Sequence, residues 1–189
     1  FDLETENHVL HKRKASPFDQ RNYIVEAGWN WNGGKVESQR YDEWHRDDIM
    51  VEQFNALEAG DIINGFNIRF DMLWVWQQDC VQQALKRGAT IYCGQYTEYL
   101  LGGHTMDVQM TAMNDIAESY GGGCKIDAVK ELWQEGYLTS QIPPDMLHDY
   151  LCGDGKLIVG DVMNTWLIFC GQIARMRADH PKEFRQMLK

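Results

Sequence analysis

The sequence predicts a mixed α/β fold: a five-stranded sheet flanked by helices, followed by a C-terminal half that is almost entirely helical. Two observations carry this prediction. Short runs of β-branched and aromatic residues bounded by turn residues dominate the chain as far as Phe70, and helical periodicity dominates after Cys93. Between these regions helices and strands alternate, which is the order expected when strands of one sheet are joined through helices.

Each element follows from a local pattern. The predicted strands are Phe1–Glu4, Tyr23–Trp31, Lys35–Arg40, Ile62–Ile68 and Thr90–Cys93. The turn Asn32-Gly33-Gly34 joins the second and third strands as a hairpin. The predicted helices are Asp47–Glu58, Asp71–Arg87, Gln95–Leu101, Met110–Tyr120, Asp127–Glu135, Pro144–Leu151 and Asp161–Ala178.

Length and composition are those of a globular protein. The chain has 189 residues, of which 44% are apolar and 24% are charged, so we expect a single domain over residues 1–189. No apolar run approaches the ~18 residues of a membrane span, so we expect no membrane partner. The net charge of −10 argues against coating nucleic acid by charge alone. It remains compatible with carboxylates gathered around metal ions.

The cysteines and histidines do not form a recognisable zinc motif. The five cysteines contain no C-x-x-C pair, and the six histidines show no metal-type spacing. We therefore expect reduced and mostly buried thiols in a cytoplasmic protein.

Two acidic segments lie where predicted strands begin or end. Asp2 and Glu4 are two residues apart on the first strand, so both side chains face the same side of the sheet. Two carboxylates this close repel each other unless a cation lies between them, and such oxygen ligands suit Mg²⁺ or Mn²⁺. Asn67 ends the fourth strand and Asp71 begins the next helix, where an Asp also serves as a helix cap.

A third segment contains two candidate acids. Tyr150 and Asp154 are four residues apart, which places two side chains on one face of a helix. The dipeptide Gly-Asp occurs again seven residues later, at Gly160-Asp161, as though a heptapeptide had been inserted. Taken separately, solvated acids and helix caps explain each segment. Taken together and in this order, the three segments are expected to converge on one site.

The ordered set D-x-E, N-x-x-F-D and Y-x-x-x-D resembles the 3′–5′ exonucleases of the RNase H-like superfamily, in the subclass with four acids and a tyrosine. It is similar to the proofreading exonuclease of phage and bacterial family A DNA polymerases. Further similarity lies in Tyr96–Gly102 (Y-L-L-S-G in the family), Leu132–Pro143 (L-W-x-x-G, then T-x-x-I-P) and Asp161–Thr165 (D-V-x-N-T). The resemblance covers nearly the whole chain and implies an RNase H-like sheet. The family's first strand begins several residues earlier, so we expect residues upstream of Phe1.

The resemblance implies hydrolysis of phosphodiester bonds with two metal ions. Asp2, Glu4, Asp71 and one Asp of the third segment would hold two Mg²⁺ or Mn²⁺ ions roughly 3.5–4 Å apart. One ion would activate water, and the other would stabilise the leaving 3′ oxygen. Tyr150 would orient or deprotonate the attacking water.

The third segment departs from the family pattern, which runs from Tyr-x-x-x-Asp directly into Val-x-Asn-Thr. Asp154 keeps the spacing to Tyr150, whereas Asp161 keeps the Val-Met-Asn-Thr that follows. Because proton transfer needs a fixed geometry between the tyrosine and the metals, the spacing favours Asp154 as the catalytic ligand. Asp161 is the alternative ligand and otherwise the N-cap of the last long helix.

These considerations predict a metal-dependent 3′–5′ exonuclease that releases nucleoside monophosphates from DNA and proofreads beside a polymerase on another chain or domain. The expected substrate is a single-stranded or frayed 3′ end, contacted by Thr5 and Asn67. One alternative is an RNase H-like endonuclease or resolvase. The spacing of Tyr150 and the Asn67–Asp71 segment argue against this alternative. Another is a catalytically silent module that binds a polymerase or a primer strand, against which the intact acids speak.

Overall fold

A computed structural model describes residues 1–45, 48–103, 109–123 and 127–187. The fold is mixed α/β, as predicted. The strands are β1 (Asp2–Thr5), β2 (Val9–Leu10), β3 (Arg13–Lys14), β4 (Ile24–Trp29), β5 (Glu37–Arg40), β6 (Ile62–Gly65) and β7 (Thr90–Cys93). The α-helices are α1 (Val51–Asn55), α2 (Arg69–Val75), α3 (Asp79–Arg87), α4 (Gly94–Leu101), α5 (Met113–Ile116), α6 (Asp127–Glu135), α7 (Pro144–Cys152), α8 (Asp161–Asp179) and α9 (Pro181–Met187).

The predicted five-stranded sheet is divided into two units. β1, β4 and β5 form an antiparallel sheet in the order β1-β4-β5, and β6 and β7 form a separate parallel pair. β1 spans only four residues and its ladder partner is β4, so no ladder joins it to β6 among the described residues. The two units meet where the backbone nitrogen of Phe1 donates a hydrogen bond to the carbonyl oxygen of Asn64, at 2.7 Å. The strands of the described residues therefore do not form one continuous five-stranded ladder.

The largest differences from the predicted elements lie between residues 47 and 120. The helix predicted over Asp71–Arg87 is two helices, because the extended backbone of Gln78 ends one and begins the next. The helix predicted over Met110–Tyr120 is the four-residue α5 followed by a 3₁₀ turn. α1 is shorter than predicted, and Asp47 lies outside the described residues. The β2–β3 hairpin and α9 were not predicted.

The two faces of the antiparallel sheet are used differently. Leu3 and Ala27 point into the main core cluster, which also contains Phe54, Val75 and Val81 of α1, α2 and α3. Because side chains alternate along a strand, Asp2 and Glu4 point to the opposite face. That face is covered by α7 and α8: a methyl group on Gly28 of β4 would lie 2.8 Å from Val162 Cγ2 and 2.9 Å from Leu151 Cγ. The acidic side chains of β1 therefore face the two helices.

Two buried amide side chains fasten α8 to its neighbours. Gln172 Nε2 donates hydrogen bonds to the Gly94 carbonyl at 2.8 Å and to Glu98 Oε2 at 2.9 Å, and Tyr92 donates to Gln172 Oε1 at 3.0 Å. Asn164 accepts a hydrogen bond from the Gly123 amide at 3.0 Å and donates to the Gly123 carbonyl at 3.1 Å. Both amides are fully buried. A buried polar group is costly without a partner, so these bonds define where α8 lies.

The four cysteines in the described ranges are free thiols, but only Cys80 is buried. Cys93 and Cys152 are half-buried, Cys170 is exposed, and Cys124 lies outside the described residues. The expectation that most thiols are buried is therefore wrong for these four. None of the helices in the described ranges has both the length and the apolar character needed to cross a membrane.

Candidate metal centre

Three carboxylates from two elements converge on the face of the sheet that α7 and α8 cover. Asp2 and Glu4 come from β1, and Asp161 is the first residue of α8. One carboxylate oxygen of each lies within 4.8 Å of the others. Glu4 and Asp161 are buried, so water screens their mutual repulsion poorly. A divalent cation bound between them would remove that repulsion.

Asp71 of α2 also contacts β1 and interacts electrostatically with Asp2. It is the third residue of α2, with Ile68 rather than Asp71 at the N-cap, and its Oδ1 accepts a hydrogen bond from the Leu3 amide at 3.1 Å. Burial raises the pKa of Asp71 well above its ordinary value, and repulsion from Asp2 adds to the effect. A nearby cation would favour the ionised form of this carboxyl. We call Asp2, Glu4, Asp71 and Asp161 the acid cluster.

Asp154, which the sequence favoured over Asp161, has a different role in the structure. α7 ends at Cys152 because Gly153 adopts a φ of 85°, so Tyr150 and Asp154 do not share a helix. Asp154 Oδ1 accepts hydrogen bonds from the backbone amides of residues 156, 157 and 158 at 2.8–2.9 Å. These bonds lower the pKa of Asp154 and hold its carboxylate within its own loop. The geometry therefore agrees with the alternative, Asp161, as the third-segment acid.

The second Gly-Asp pair reaches the sheet because the extra residues form a loop. A methyl group on Gly160 would collide with the Gly153 amide nitrogen and the Cys152 carbonyl carbon. The start of α8 therefore lies directly against the end of α7, and residues 153–159 leave and return at nearly the same point. Leu157, near the tip of this loop, is 93% exposed. Gly153-Asp154 follows Cys152 directly in the sequence. Gly160-Asp161 does not, but the loop returns it to a position next to Cys152 in space.

Tyr150 of α7 is buried. It belongs to an apolar cluster with Val25, Ile142 and Leu147. Its ring meets Trp133 edge to face, with the centroids 5.5 Å apart. The absence of a shared helix removes the geometric argument that linked Tyr150 to Asp154. Its catalytic role stays a prediction.

The two predicted substrate-binding residues differ in accessibility. Thr5 is buried, and its carbonyl oxygen accepts a hydrogen bond from Thr139 Oγ1 at 2.7 Å, so it offers little surface to a substrate. Asn67 is exposed, with a φ of 55°, at the edge of an apolar groove. The same groove contains the half-exposed side chains of Trp76 and Tyr96. Asn67 therefore lies on an accessible surface, just before the helix that carries Asp71.

A second group of potential ligands was missed by sequence reasoning. Glu26 of β4 and the α7 residues His148 and Cys152 each offer one donor atom within 4.8 Å of the other two. Glu26 Oε1 accepts a hydrogen bond from Ser38 at 2.8 Å and lies 3.2 Å from His148 Nδ1. Burial raises the pKa of the Cys152 thiol to about 12, opposed by a hydrogen bond with Ser38. The available signal was the four-residue spacing of His148 and Cys152, which places both on one face of a helix.

Comparison with known proteins gives no family or function for the chain. No protein-family model, curated protein or solved structure matches the chain.

Proposed function

We propose that the chain is a metal-dependent 3′–5′ exonuclease that hydrolyses DNA from the 3′ end. The observation that carries this proposal is the acid cluster. In it, carboxylate oxygens of Asp2, Glu4 and Asp161 lie within 4.8 Å of one another, and Asp71 interacts electrostatically with Asp2. Ionised carboxylates this close repel each other, and a divalent cation bound between them would compensate their charge. The order D-x-E, N-x-x-F-D and Gly-Asp along the chain supports the same assignment.

The donor atoms fit the proposed metal. Asp2, Glu4, Asp71 and Asp161 offer only carboxylate oxygens, which suit Mg²⁺ or Mn²⁺ rather than a thiophilic ion. When bound, two such ions would favour ionisation of the attacking water and offset the charge that develops on the leaving oxygen. The chain itself supplies position: the Leu3 amide orients the Asp71 carboxylate, and the close contact of α7 with α8 fixes Asp161.

The fold supports the proposal at a coarser level. An RNase H-like arrangement would place the five principal strands in the order β5-β4-β1-β6-β7. The hydrogen bond between Phe1 and Asn64 is compatible with β6 lying next to β1. The two sheets described above would then be parts of one layer.

The groove beside Asn67 is the surface that we propose for an unpaired DNA strand. Trp76 and Tyr96 are about half exposed there. Unpaired bases stack on such rings with little sequence preference. A frayed 3′ end would supply unpaired bases, which agrees with proofreading beside a polymerase on another chain or domain.

Cleavage of a single-stranded oligonucleotide labelled at its 5′ end tests the proposal, with Mg²⁺ and with excess chelator. We expect a ladder that shortens from the 3′ end with Mg²⁺ only, and much slower shortening when the last 3′ linkage is a phosphorothioate. Internal fragments without a ladder would indicate an endonuclease instead. Binding without any cleavage would indicate a silent exonuclease-fold module.

A further inference from the structure

We propose that Glu26, His148 and Cys152 form a second metal site that binds Zn²⁺ and ties α7 to the sheet. The site is separate in chemistry from the acid cluster, because it combines a carboxylate, an imidazole and a thiol. We call these three residues the mixed-donor cluster.

The donor atoms of the mixed-donor cluster lie close enough together to bind one metal ion. The three donor atoms lie within 4.8 Å of one another, although Glu26 is 122 residues from His148 in the chain. The Glu26 side chain is 4% exposed, whereas the His148 side chain is 50% exposed. One ligand is therefore anchored in the interior, and the imidazole lies on the side from which an ion would enter.

The donor set selects the kind of ion. Zn²⁺ binds imidazole nitrogen, thiolate and carboxylate oxygen, and sites with three protein ligands leave a fourth position for water. Mg²⁺ prefers oxygen ligands and retains most of its waters, so it would favour the acid cluster instead. A bound zinc ion would also keep Cys152 as a thiolate, since a coordinated thiol loses its proton.

Ser38 gives the cluster a supporting contact from a third element. Its hydroxyl donates to Glu26 Oε1 at 2.8 Å and lies 3.0 Å from His148 Nδ1. Groups that hydrogen-bond to metal ligands fix the orientation of those ligands and tune affinity. Without a metal, the same contacts form a polar hydrogen-bond network between Glu26, Ser38 and His148, and the experiment below separates the two cases.

The position of the cluster gives metal binding a structural consequence. Glu26 is the direct cross-strand partner of Glu4, so both side chains lie on the face of the sheet that α7 covers. Cys152 is the last residue of α7, and the start of α8 lies against it. Zinc at this point would join β4 to α7 next to the junction that holds Asp161.

Titration of the full chain with Co²⁺, a spectroscopic substitute for Zn²⁺, tests the proposal by the thiolate-to-cobalt absorption in the near ultraviolet. We expect this band in the wild-type protein and its disappearance on addition of Zn²⁺. Cys152→Ser should abolish the band, and His148→Gln should weaken Co²⁺ binding at least tenfold. Cys170→Ser, which changes an exposed thiol on α8, is the matched control and should retain the full band.

The absence of a thiolate band in the wild-type protein would overturn the proposal and leave the hydrogen-bond network as the explanation. A band that survives in folded Cys152→Ser would also overturn it. Because the measurement does not use nuclease activity, Asp161→Asn should keep the band whether or not the exonuclease proposal is correct. A thermal midpoint that rises with Zn²⁺ in the wild type and in Cys170→Ser, but not in Cys152→Ser, would support the site.

Discussion

Asp71 is a residue whose surroundings oppose its charge. Burial and the neighbouring Asp2 raise its pKa in the folded chain, while the unfolded value is near ~3.9. Folding at intermediate pH therefore takes up a proton. The contribution of Asp71 to the free energy of unfolding falls as pH rises from the unfolded pKa through the raised folded pKa.

Replacing Asp71 with Asn should separate stability from function. Asn keeps an oxygen that can accept the hydrogen bond from Leu3 but carries no charge. In chelator at pH 7.5 we expect a higher thermal midpoint for Asp71→Asn than for the wild type, with the difference shrinking towards pH 4. Hydrolysis with Mg²⁺ should be lost. Circular dichroism melts at the two pH values provide the measurement, and a lower midpoint at pH 7.5 would contradict the expected sign.

The two third-segment acids give a second test at the residue scale. Asp161→Asn should abolish Mg²⁺-dependent hydrolysis, because Asp161 is the third-segment acid whose carboxylate lies within 4.8 Å of those of Asp2 and Glu4. Asp154→Asn should retain near wild-type hydrolysis, because an amide oxygen can still accept the three backbone hydrogen bonds of the loop. Single-turnover rates on the 5′-labelled oligonucleotide would show the contrast. The opposite pattern would mean that the loop rearranges to bring Asp154 to the substrate.

The sequence predicted the proximity of two acids when both lie on the same strand. Asp2 and Glu4 share a strand, so a period of two was enough. The preference for Asp154 rested on a helix shared with Tyr150, whereas α7 ends at Cys152 and Gly153 leaves the helical conformation. Which of the two acids binds a metal stays a prediction. Spacing could have paired His148 with Cys152 in the mixed-donor cluster, but not Glu26, which the packing of α7 on β4 brings to them from 122 residues away in the chain.

At the scale of elements, the contact between the end of α7 and the start of α8 decides where Asp161 lies. That contact requires the absence of a side chain at Gly160, because a methyl group there would meet backbone atoms, which cannot move aside as a flexible side chain can. Backbone conformation also explains why the sequence did not predict the helix break near Gln78. The periodicity of residues 71–87 continues through the break, and only the backbone conformation ends α2.

Gly160→Ala should therefore push the two helices apart. We expect a loss of stability of about 1–3 kcal/mol, the usual range for overpacking, together with at least a tenfold loss of hydrolysis as Asp161 moves from Asp2. Gly155→Asn is the control within the same loop, because nothing lies within 4 Å of a methyl group at Gly155 and Asn tolerates its φ of 69°. Urea unfolding and hydrolysis rates measure both effects. Equal behaviour of the two variants would show that the junction is not tight.

At the scale of the whole molecule, charge and strand pairing are the relevant properties. A chain with a net charge of −10 repels a polyanion unless cations intervene. The sequence predicted the five principal strands because their patterns are local. It did not predict that the ladder stops between β1 and β6, since hydrogen bonding between strands depends on partners distant in the chain.

DNA binding should therefore depend on divalent cations. We expect a single-stranded oligonucleotide to bind at least tenfold more tightly with Ca²⁺, used as a cation that is not expected to support cleavage, than with chelator at the same ionic strength. Fluorescence anisotropy of a labelled oligonucleotide measures this difference. Asp154→Asn should show the same dependence, and Asp161→Asn should show less. Equal affinity with and without Ca²⁺ would mean that DNA contacts the protein away from the acid cluster.

The buried amide of Gln172 has a consequence for the N-terminal end of its helix. Gln172 lies eleven positions after Asp161, about 16 Å along the axis of α8 at 1.5 Å per residue. Its hydrogen bonds to Gly94, Glu98 and Tyr92 can form at only one setting of the helix along that axis. Sliding α8 by a single residue would leave the buried amide unpaired. The axial position of a carboxylate at the tip of α8 is thus set by a neutral side chain in its middle, and variants of Gln172 would change the acid cluster without touching it.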